Sequence, residues 1–423
     1  MEKILRTIEK ITPKKLYRFL QPGYHFILAS IGTLRYLKPS RKIYVIGVTG
    51  TKGKSSTVEF VNAILEVSGK KTAILSTIRF KVGDESHPNN YKMTMPGRFF
   101  TQKFLHDAVK AGCQYAIIEM TSEGARFYRH IGIDLDALIF TNLSPEHIES
   151  HGSFEKYKSA KLRLIKSLAT STKPHRVSIA NIDTKHGHSF LIHTVDKNIS
   201  YSIKDVTILS ETNTSTIISY KDTTITVPLP GKFNVANALA AIKLAEELSI
   251  PMETIKRGVE SLTQIRGRVE KIDCGQNFTV IVDYAHTDDS LYKLYEAFSS
   301  TRKIAVLGAC GGGRDVWKRK VLGKIADEAC DEIIITNEDP YDEDPAKIIE
   351  DVAVGVTTHT PKIIINRRDA IREAFTLAQA GDTIFITGKG TDPYIMGPNN
   401  SKEAWDDAKV AREELEKLIA SRL

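Results

Sequence analysis

The stretch from residue 45 to residue 56, Val-Ile-Gly-Val-Thr-Gly-Thr-Lys-Gly-Lys-Ser-Ser, contains the residue types that hold phosphate groups. Gly50 and Gly53 let the backbone turn, so that several N–H groups point into one concavity at the positive end of a following helix. Lys54 would reach the outer phosphates of a polyphosphate, and the Ser55 hydroxyl would bind Mg²⁺. The strict pattern has its first glycine where this chain has a valine, so a glycine-rich turn without a ligand is the alternative. The stretch predicts a nucleotide site.

Two further apolar runs end in side chains that could hold a metal ion. Glu119 ends the run that starts near residue 115, and His147 follows the run that ends near residue 141. The carboxyl ends of parallel strands meet at one edge of a sheet, where ligands bind. Carboxylates suit Mg²⁺, and imidazole often shares a metal with them. We therefore predict both residues as metal ligands beside the loop; a helix-capping acid and a structural histidine are the alternatives.

Alternating apolar segments and helical spacings would position these side chains. From residue 42 to about 266 the alternation indicates a mostly parallel sheet covered by helices on both faces. The predicted strands lie at 43–47, 72–76, 114–119, 137–141 and 177–180. Residues 198–229 alternate Thr, Ile and Val without helical spacing, and they predict an antiparallel β-element appended to this sheet. This central region is expected to be an ATPase-type domain built around the phosphate loop.

A second alternation of strands and helices begins near Gly267. Its predicted strands lie at 279–283, 303–308, 331–336, 362–366 and 382–388, and a charged helix is predicted from 404 to 423. This pattern predicts a Rossmann-like α/β domain over residues 267–423. The fold class is therefore α/β, with domains at 1–41, 42–266 and 267–423.

Residues 1–41 form a short basic segment with two predicted helices broken at Pro22-Gly23. One interpretation is an interfacial membrane anchor, with aromatic and aliphatic residues on one face and cations on the other. A helical extension packed on the central domain is the other interpretation. The segment is too short to fold as an independent domain.

Composition narrows the function classes. The 423 residues carry a net charge of +8, which suits anionic ligands or an anionic membrane surface. Nucleic acid is not an expected partner, because no long Lys/Arg block is interleaved with aromatics. Four widely spaced cysteines predict neither a zinc site nor a disulfide framework, and favour the cytoplasm. We expect no cleaved signal peptide and no membrane-spanning segment.

The loop spacing Gly-x-Thr-Gly-Thr-x-Gly-Lys-Ser resembles the ATP loop of the Mur ligase family, which comprises ATP-dependent amide-forming enzymes. Further matches run in order from about residue 43 to residue 392, including Tyr157-Lys-Ser-Ala-Lys161 and Asp283-Tyr-Ala-His286. The resemblance implies ATP and Mg²⁺ as cofactors. It also implies that CO₂ carbamylates Lys161, whose new carboxylate contacts Mg²⁺. By spacing alone, Lys161 is an ordinary surface lysine of an amphipathic helix from 153 to 168.

The same resemblance implies roles for further residues. The catalytic groups would be Lys54, Glu119, His147 and Lys161, and the metal ligands Ser55, Glu119, His147 and Lys161. The nucleotide would contact Gly50, Thr51, Lys52, Gly53, Lys54, Ser55, Ser56, Asn234, Asn237, Arg268, Asp283 and His286. The acid acceptor would contact Thr94, Ser122 and Arg129. The incoming amino acid would contact Glu338, Asp339, Tyr341, Lys389, Thr391 and Asp392.

Within the family, the chain most resembles the branch that adds the third peptide residue to a muramyl dipeptide in peptidoglycan precursor synthesis. A muropeptide-type acid and an amino acid are therefore the expected substrates, and the cytoplasm or the inner membrane surface the expected location. The family's uridine-binding N-terminal domain is replaced by residues 1–41, and the acceptor motifs read Thr94-Met-Pro and Thr121-Ser-Glu. These departures leave open a lipid-linked acid, a folate or poly-amino-acid type of acid, and a non-catalytic nucleotide-binding relative.

The chain also departs from the family at the amino-acid motif. Diaminopimelate-adding members have Asp-Asn-Pro-Arg, whereas this chain has Glu-Asp-Pro-Tyr341 followed by the acidic run 342–344. The absence of a guanidinium there favours an amino acid with a terminal amine, such as lysine or ornithine, over diaminopimelate. The alternative is that the acidic run only caps the helix that starts at Pro345.

Overall fold

The computed structural model of the chain describes residues 14–97, 99–146, 148–313 and 315–421. The chain divides into two compact units. The first unit contains the residues up to Leu143 together with 155–202 and 240–250, and the second contains 144–154, 203–239 and the residues from Pro251 onward. The domain boundaries proposed at residues 41 and 266 stay predictions.

An eight-stranded sheet forms the centre of the first unit. Its strands are β1 (Tyr44–Thr49), β2 (Thr72–Leu75), β3 (Arg79–Val82), β4 (Glu85–Pro88), β5 (Tyr115–Met120), β6 (Ala137–Phe140), β7 (Val177–Asn181) and β8 (Lys197–Tyr201). Their order is β4-β3-β2-β5-β1-β6-β7-β8, and all pairs from β2 to β8 are parallel. The central strand β1 is almost wholly buried, which explains its continuous apolar sequence. The five predicted strands of this region are confirmed.

The helices, in chain order, are α1 (Lys14–Arg35), α2 (Lys54–Val67), α3 (Phe100–Lys110), α4 (Ser122–Arg126), α5 (Ile148–His151), α6 (Phe154–Ala169), α7 (Lys232–Glu247), α8 (Met252–Glu260), α9 (Asp288–Glu296), α10 (Trp317–Ala329), α11 (Pro345–Ala353), α12 (Arg367–Leu377) and α13 (Asp407–Ala420). None of the helices that the structure describes is long and apolar enough to cross a lipid bilayer.

The prediction of two helices broken at Pro22-Gly23 is wrong. A single helix, α1, runs through this dipeptide from Lys14 to Arg35. A proline lacks an N–H and removes one bond of the helical ladder, but it does not force the chain to leave the helix. Packing compensates: downstream of the dipeptide, Ala29 and Thr33 are buried against the first unit.

The prediction for residues 198–229 is partly wrong. Lys197–Tyr201 forms β8, a parallel edge strand of the eight-stranded sheet. The rest forms a separate antiparallel sheet in the second unit, made of β9 (Thr207–Glu211), β10 (Thr216–Tyr220) and β11 (Thr223–Val227). Alternate residues of β10 are buried, which accounts for the Thr/Ile alternation. Alternation indicates a strand with one buried face, but it does not say which sheet the strand joins.

The main sheet of the second unit has six strands: β12 (Glu270–Ile272), β13 (Thr279–Asp283), β14 (Lys303–Leu307), β15 (Glu332–Ile335), β16 (Lys362–Ile363) and β17 (Thr383–Thr387). The order is β12-β13-β17-β14-β15-β16, and only the edge strand β12 is antiparallel. A hairpin of β18 (Tyr394–Met396) and β19 (Lys402–Ala404) precedes α13. The helix predicted from residue 404 therefore begins only at Asp407, where Asp406 caps it by accepting a bond from the N–H of Lys409.

Both units have the layered α/β architecture that the sequence predicts. In the second unit, two apolar clusters cover the sheet. One is centred on Tyr295, Phe298 and Phe385, and the other on Phe278 and Phe375. The loops that follow β15 and β17 leave the sheet on either side of β14, at its carboxyl edge. This placement brings distant parts of the sequence together at one edge.

Candidate active site

The phosphate loop between β1 and α2 is shaped by glycines with positive φ. Gly53, the residue before α2, has φ of 81°, and Gly50 has φ of 150°. A Cβ added to Gly50 would lie 1.9 Å from Thr141 Oγ1, so a side chain does not fit there. The Asn142 side chain accepts a hydrogen bond from the Lys52 N–H at 2.8 Å, and it donates to the Lys52 carbonyl oxygen at 3.0 Å. The segment after β6 therefore fixes the shape of the loop.

The first residues of α2 meet a buried carboxylate. Glu119 is paired with Val48 across the parallel strands β5 and β1, which places its side chain beside the loop. Ser55 Oγ donates to Glu119 Oε2 at 2.9 Å, and Lys54 Nζ lies 3.9 Å from Glu119 Oε1. Lys54 also donates to the carbonyl oxygen of Thr51 at 2.8 Å. The structure therefore brings three of the predicted catalytic or metal-binding residues together.

Lys161 reaches the same loop from α6. Its side chain is only 2% exposed, and Nζ donates to the Gly50 carbonyl oxygen at 2.5 Å. The Tyr157 ring, one turn earlier on α6, has its centroid 5.0 Å from Nζ. The Tyr157 hydroxyl is 2.9 Å from Thr51 Oγ1. Lys161 is therefore a buried residue at the phosphate loop and not an ordinary surface lysine of an amphipathic helix.

The predicted set of metal ligands stays a prediction. His147 lies outside the described residues. Among the described residues, no three or more His, Cys, Asp and Glu side chains form a cluster that could hold a metal ion. The oxygens of Ser55 and Glu119 are nevertheless hard donors at hydrogen-bonding distance from each other beside the loop, which is the donor type that Mg²⁺ prefers.

The acceptor candidates lie in the same unit as the loop. Thr94 Oγ1 is 2.7 Å from Thr77 Oγ1, and the Thr77 N–H donates to Glu119 Oε2 at 2.9 Å. Ser122 is buried and begins α4, two residues after the end of β5. Arg129 donates to the carbonyl oxygen of Met95 at 2.6 Å. Thr94 is thus linked to the buried carboxylate through one intervening threonine.

Two of the nucleotide candidates in the second unit lie in the first turns of α7. Asn234 Nδ2 donates to the Pro230 carbonyl oxygen at 2.9 Å. Asn237 Nδ2 is 3.4 Å from Asn234 Oδ1. Both side chains are buried. Their amide groups are oriented by these local bonds.

Three other nucleotide candidates surround the end of β13. Asp283 accepts hydrogen bonds from two backbone N–H groups, at 2.6 and 2.7 Å. The Arg268 guanidinium lies 4.7 Å from the centroid of the Tyr284 ring. His286 Nε2 is 3.0 Å from Glu146 Oε1. Asp283 therefore shapes the backbone here, while Arg268 and His286 carry the polar groups suited to an anion.

Lys389 is the centre of the amino-acid candidates in the second unit. It is fully buried, and Nζ donates to Asp339 Oδ1 at 2.7 Å, Asp392 Oδ2 at 3.1 Å and the Tyr394 carbonyl oxygen at 2.6 Å. Asp339 Oδ1 also accepts from the N–H of Met396 at 2.8 Å. These bonds join the loop after β15 to the loop after β17. The two motifs, about fifty residues apart in the sequence, are therefore neighbours in the structure.

Glu338 differs from these residues because one oxygen of its carboxylate has no hydrogen-bond partner among the described residues. This oxygen, Oε2, is buried. A Cβ added to Gly388 would lie 2.3 Å from this oxygen, so the glycine makes room for the carboxylate. Burial raises the pKa of Glu338 to about 7, against the opposing effect of the Lys389 charge. A buried acceptor oxygen of this kind suits a cationic ligand.

The two remaining amino-acid candidates have backbone roles in the same region. Tyr341 has φ of 53°, in the left-handed region, and its N–H donates to the Met396 carbonyl oxygen at 3.0 Å. Thr391 packs against Gly267, where an added Cβ would lie 2.7 Å from Thr391 Cγ2. Both residues therefore help to hold the loops that carry Lys389 and Glu338.

Sequence reasoning did not assign roles to Asn142, Tyr157 or Thr77. Tyr157 begins the motif that ends at Lys161, and Asn142 directly follows the predicted strand 137–141; both bond to the phosphate loop. Thr77 lies after β2 and bonds both Glu119 and Thr94. Its type and spacing carry no signal, because its position depends on how β2 pairs with β5.

Comparison with known proteins agrees with this geometry. The family model for the "Mur ligase middle domain" matches residues 48–245, and the family model for the "Mur ligase, glutamate ligase domain" matches residues 267–390. A UDP-N-acetylmuramyl-tripeptide synthetase of Roseiflexus sp. (strain RS-1) is 34% identical, with 94% of this chain and 83% of the relative covered. A UDP-N-acetylmuramoyl-L-alanyl-D-glutamate--2,6-diaminopimelate ligase of Bacillus cereus is also 34% identical, with 91% and 81% covered. A solved structure of a ligase with this second name is similar at a TM-score of 0.60 and 28% identity, covering 89% of this chain and 79% of that one.

A strand, a glycine loop and a helix, with a buried carboxylate on the neighbouring strand, define a phosphate-loop nucleotide-binding protein. The relatives and both matched domains specify this class further. The chain belongs to the Mur ligase family, and it is an ATP-dependent ligase that forms an amide bond.

Proposed function

We propose that the protein joins an amino acid to the carboxylate of a muramyl-dipeptide-type acceptor, using ATP, during peptidoglycan precursor synthesis in the cytoplasm. The observation that carries the proposal is the grouping of Lys54, Ser55, Glu119 and Lys161 at one glycine loop. The names of the two relatives support the acceptor class, since both refer to muramyl peptides.

The residues at the loop fit a magnesium-assisted phosphoryl transfer. We infer that Ser55, Glu119, His147 and carbamylated Lys161 would hold Mg²⁺. Bound there, the ion would neutralise charge on the transferring phosphoryl group. The carbamate would form when the neutral amine of Lys161 adds to CO₂ and releases a proton. The product carries a carboxylate in place of an ammonium group, and it is therefore a hard oxygen ligand.

In the first chemical step, an oxygen of the acceptor carboxylate attacks the γ-phosphorus of ATP, and ADP leaves. Lys54 would stabilise the charge on the phosphoryl oxygens, which is the main catalytic effect in such transfers. In the second step, the amine of the amino acid attacks the acyl carbon of the acyl phosphate. An amide bond forms, the C–O bond to phosphate breaks, and the amine loses a proton.

Thr94, Ser122 and Arg129 would position the acceptor. Thr94 is one residue removed from Glu119 through Thr77, so an acid bound there would lie on the loop side of the unit. Arg129 supplies a guanidinium suited to a carboxylate. The position of these residues relative to the loop supports the proposed acceptor site.

For the amino acid, we propose a diamino acid such as lysine or ornithine. Glu338, Asp339 and Asp392 bring three carboxylates to a region where Lys389 supplies a cation that is bonded to two of them. The buried Glu338 Oε2, which has no hydrogen-bond partner among the described residues, would accept a hydrogen bond from a distal ammonium group.

We also propose that the nucleotide contacts Asn234, Asn237, Arg268, Asp283 and His286. We further propose that residues 1–41 bring the enzyme to the inner membrane surface.

The test is ATP-dependent phosphate release with UDP-MurNAc-L-Ala-D-Glu and a panel of lysine, ornithine and diaminopimelate. Release that requires both the acceptor and lysine or ornithine is the expected result. A Lys54→Met variant serves as the control for contaminating ATPases. If no amino acid of the panel stimulates phosphate release by a correctly folded protein, the muramyl-dipeptide acceptor is refuted. Lipid-linked or non-wall acids would then be the remaining acceptors.

A further inference from the structure

The net positive charge of this protein comes from one segment of the chain. Residues 1–42 contain ten of the 59 Lys and Arg residues but only two of the 51 Asp and Glu residues. This segment therefore accounts for the whole net charge of +8, and the remaining 381 residues carry 49 residues of each sign. A charge imbalance confined to one end of a chain is typical of a segment that binds an anionic partner.

Within this segment, α1 has one face that packs on the first unit. Ala29 and Thr33 are buried. The His25 ring lies 5.2 Å from the Phe127 ring, and the Tyr36 ring lies 5.5 Å from the His106 ring. The packed-extension interpretation is therefore correct for this face.

The opposite face of α1 is apolar and exposed. Ile27, Ile31 and Leu34, at helical spacing, are 58%, 47% and 68% exposed. Phe26, at the border of the packed face, and Leu37, two residues beyond the end of α1, are exposed as well, and we call these five side chains the α1 stripe. The described part of the chain exposes fifteen large hydrophobic side chains, and five of them lie between residues 26 and 37. Single exposed hydrophobics are normal, but a contiguous stripe indicates a binding surface.

Exposed cations continue the stripe at its carboxyl end. Arg35, Lys38 and Lys42 are all exposed, and none has a carboxylate partner among the described residues. Arg41, by contrast, is bonded to Asp134 at 2.8 Å. Apolar side chains beside unpaired cations complement an anionic lipid surface. The lipid acyl chains would bury the apolar side chains, and the anionic headgroups would attract the cations.

We propose that the α1 stripe lies in the interface of a bilayer that contains anionic lipids and attaches the enzyme to it peripherally. A second copy of the chain is a poorer occupant, because it would bring two strongly basic segments together. Nucleic acid is poorer too, because it would leave three aliphatic side chains against a charged backbone.

Attachment through α1 has a consequence for the acceptor site, which rests on the proposed function. Phe26 lies 5.9 Å from the Tyr128 ring, and Phe127 and Tyr128 directly precede the acceptor candidate Arg129. Both α1 and these residues belong to the first unit. A membrane-bound α1 would therefore hold the acceptor site close to the lipid surface.

The proposal is tested by sedimentation of the full chain with vesicles of phosphatidylcholine alone or with roughly a third phosphatidylglycerol. We expect binding to the anionic vesicles that weakens with salt, and at least about tenfold weaker binding to the neutral ones. The triple variant Ile27→Ser, Ile31→Ser, Leu34→Ser should lose at least about tenfold in affinity. The matched control is Ile192→Ser, Leu209→Ser, which changes exposed aliphatic residues elsewhere and should bind as the unmodified protein does.

Equal binding to both vesicle types, or equal binding by the triple variant and the control, would overturn the proposal. So would a lack of binding combined with a change of oligomeric state in the triple variant, since a second copy would then cover the stripe. Ligation of a soluble acceptor is measured on the same samples and should not change in the triple variant. This readout separates failure of the membrane proposal from failure of the proposed ligase function.

Discussion

Lys161 and Lys389 are both buried lysines beside glycine-containing loops, but they are held in opposite ways. Lys389 donates to two carboxylates and one carbonyl oxygen, which balance its charge within the second unit. Lys161 donates to a backbone carbonyl oxygen at the phosphate loop and lies near the face of a tyrosine ring. We therefore expect the charge of Lys389 to be needed mainly for the loops that it joins, and Lys161 to take part in the proposed chemistry.

Burial alone does not identify a functional lysine. The surroundings decide, because neutralising Lys389 would leave two acidic side chains without their cation. The proposed carbamylation of Lys161 would instead put an oxygen donor at the phosphate loop, and oxygen is the donor type that Mg²⁺ prefers. The two lysines should therefore respond differently to substitution.

The largest effect is expected for Lys161→Ala. Loss of the proposed carbamate should lower kcat for ligation by about 10²- to 10³-fold or more, because an electrostatic stabiliser of the transferring phosphoryl group is lost. Short carboxylates such as acetate or formate, added to the assay, should restore part of the activity. Lys166→Ala, at an exposed position on the same helix, is the control and should be fully active. Full activity of the Lys161 variant would disprove the carbamate role.

A different outcome is expected for Lys389→Met. The buried Asp339 would lose its cation, which typically costs about 3 to 5 kcal/mol. Thermal melting should show this as a clear drop in Tm, and added carboxylates should restore nothing. The matched control is Lys362→Met, which removes a partly exposed ion pair with Glu373 and should cost less than about 1 kcal/mol. If acetate rescued the Lys389 variant, the distinction between the two lysines would fail.

Glu338 offers a pH test of the amino-acid site. Its pKa, raised by burial to about 7, means that the carboxylate is mostly protonated at pH 6 and mostly ionised at pH 8. Binding of a distal ammonium group should therefore strengthen by about tenfold over this interval. Calorimetric titration with lysine measures the change in Kd, and Glu338→Gln should bind weakly without this pH dependence. The same pH dependence in the variant would exclude Glu338 as the titrating group.

Protein stability should fall as pH rises, whereas lysine binding strengthens, and the fall in stability should occur over a lower pH range. A raised carboxyl pKa means that the folded state binds the proton more tightly than the unfolded state. The stability contributed by Glu338 is therefore fully present below its ordinary pKa of 4.5, and it is lost as pH rises towards 7. Glu338→Gln should remove this decline in Tm between about pH 4.5 and 7.

The smallest effect is expected for Tyr341→Arg, which restores the guanidinium of the diaminopimelate-adding members. The backbone of residue 341 is already in the left-handed region, so the exchange of one side chain for another adds little strain. Activity with diaminopimelate should rise by about threefold to tenfold relative to lysine, as expected for one added ion pair. A ratio that stays unchanged would mean that residue 341 does not choose the amino acid.

The sequence predicted the phosphate loop, its neighbouring carboxylate and the parallel strands because these features are local. Apolar runs such as 115–120 and the Gly-Lys-Ser sequence need no long-range information. The helix through Pro22-Gly23 was not predicted, since packing outweighs the loss of one backbone bond there. The separate sheet at 207–227 was missed for a similar reason, because partner strands are chosen by tertiary contacts.

The candidate site was predictable in its residues but not in its contacts. Lys161 and Lys389 both came from motif resemblance, and nothing in their spacing told that Lys161 donates to the Gly50 carbonyl oxygen or that Lys389 is bonded to two carboxylates. The buried oxygen of Glu338 depends on Gly388, which lies fifty residues away in sequence. Contacts between loops of different strands are set by the sheet order, which a single sequence does not contain.

An acyl-phosphate route to the amide moves one oxygen atom from the acceptor carboxylate to the released phosphate, and this transfer can be measured. The acceptor is prepared with ¹⁸O in its reacting carboxylate and incubated with ATP, Mg²⁺ and lysine or ornithine. Mass spectrometry of the products should find one ¹⁸O atom in the released phosphate for each amide formed. Label in AMP, or amide formation without label in phosphate, would contradict the account.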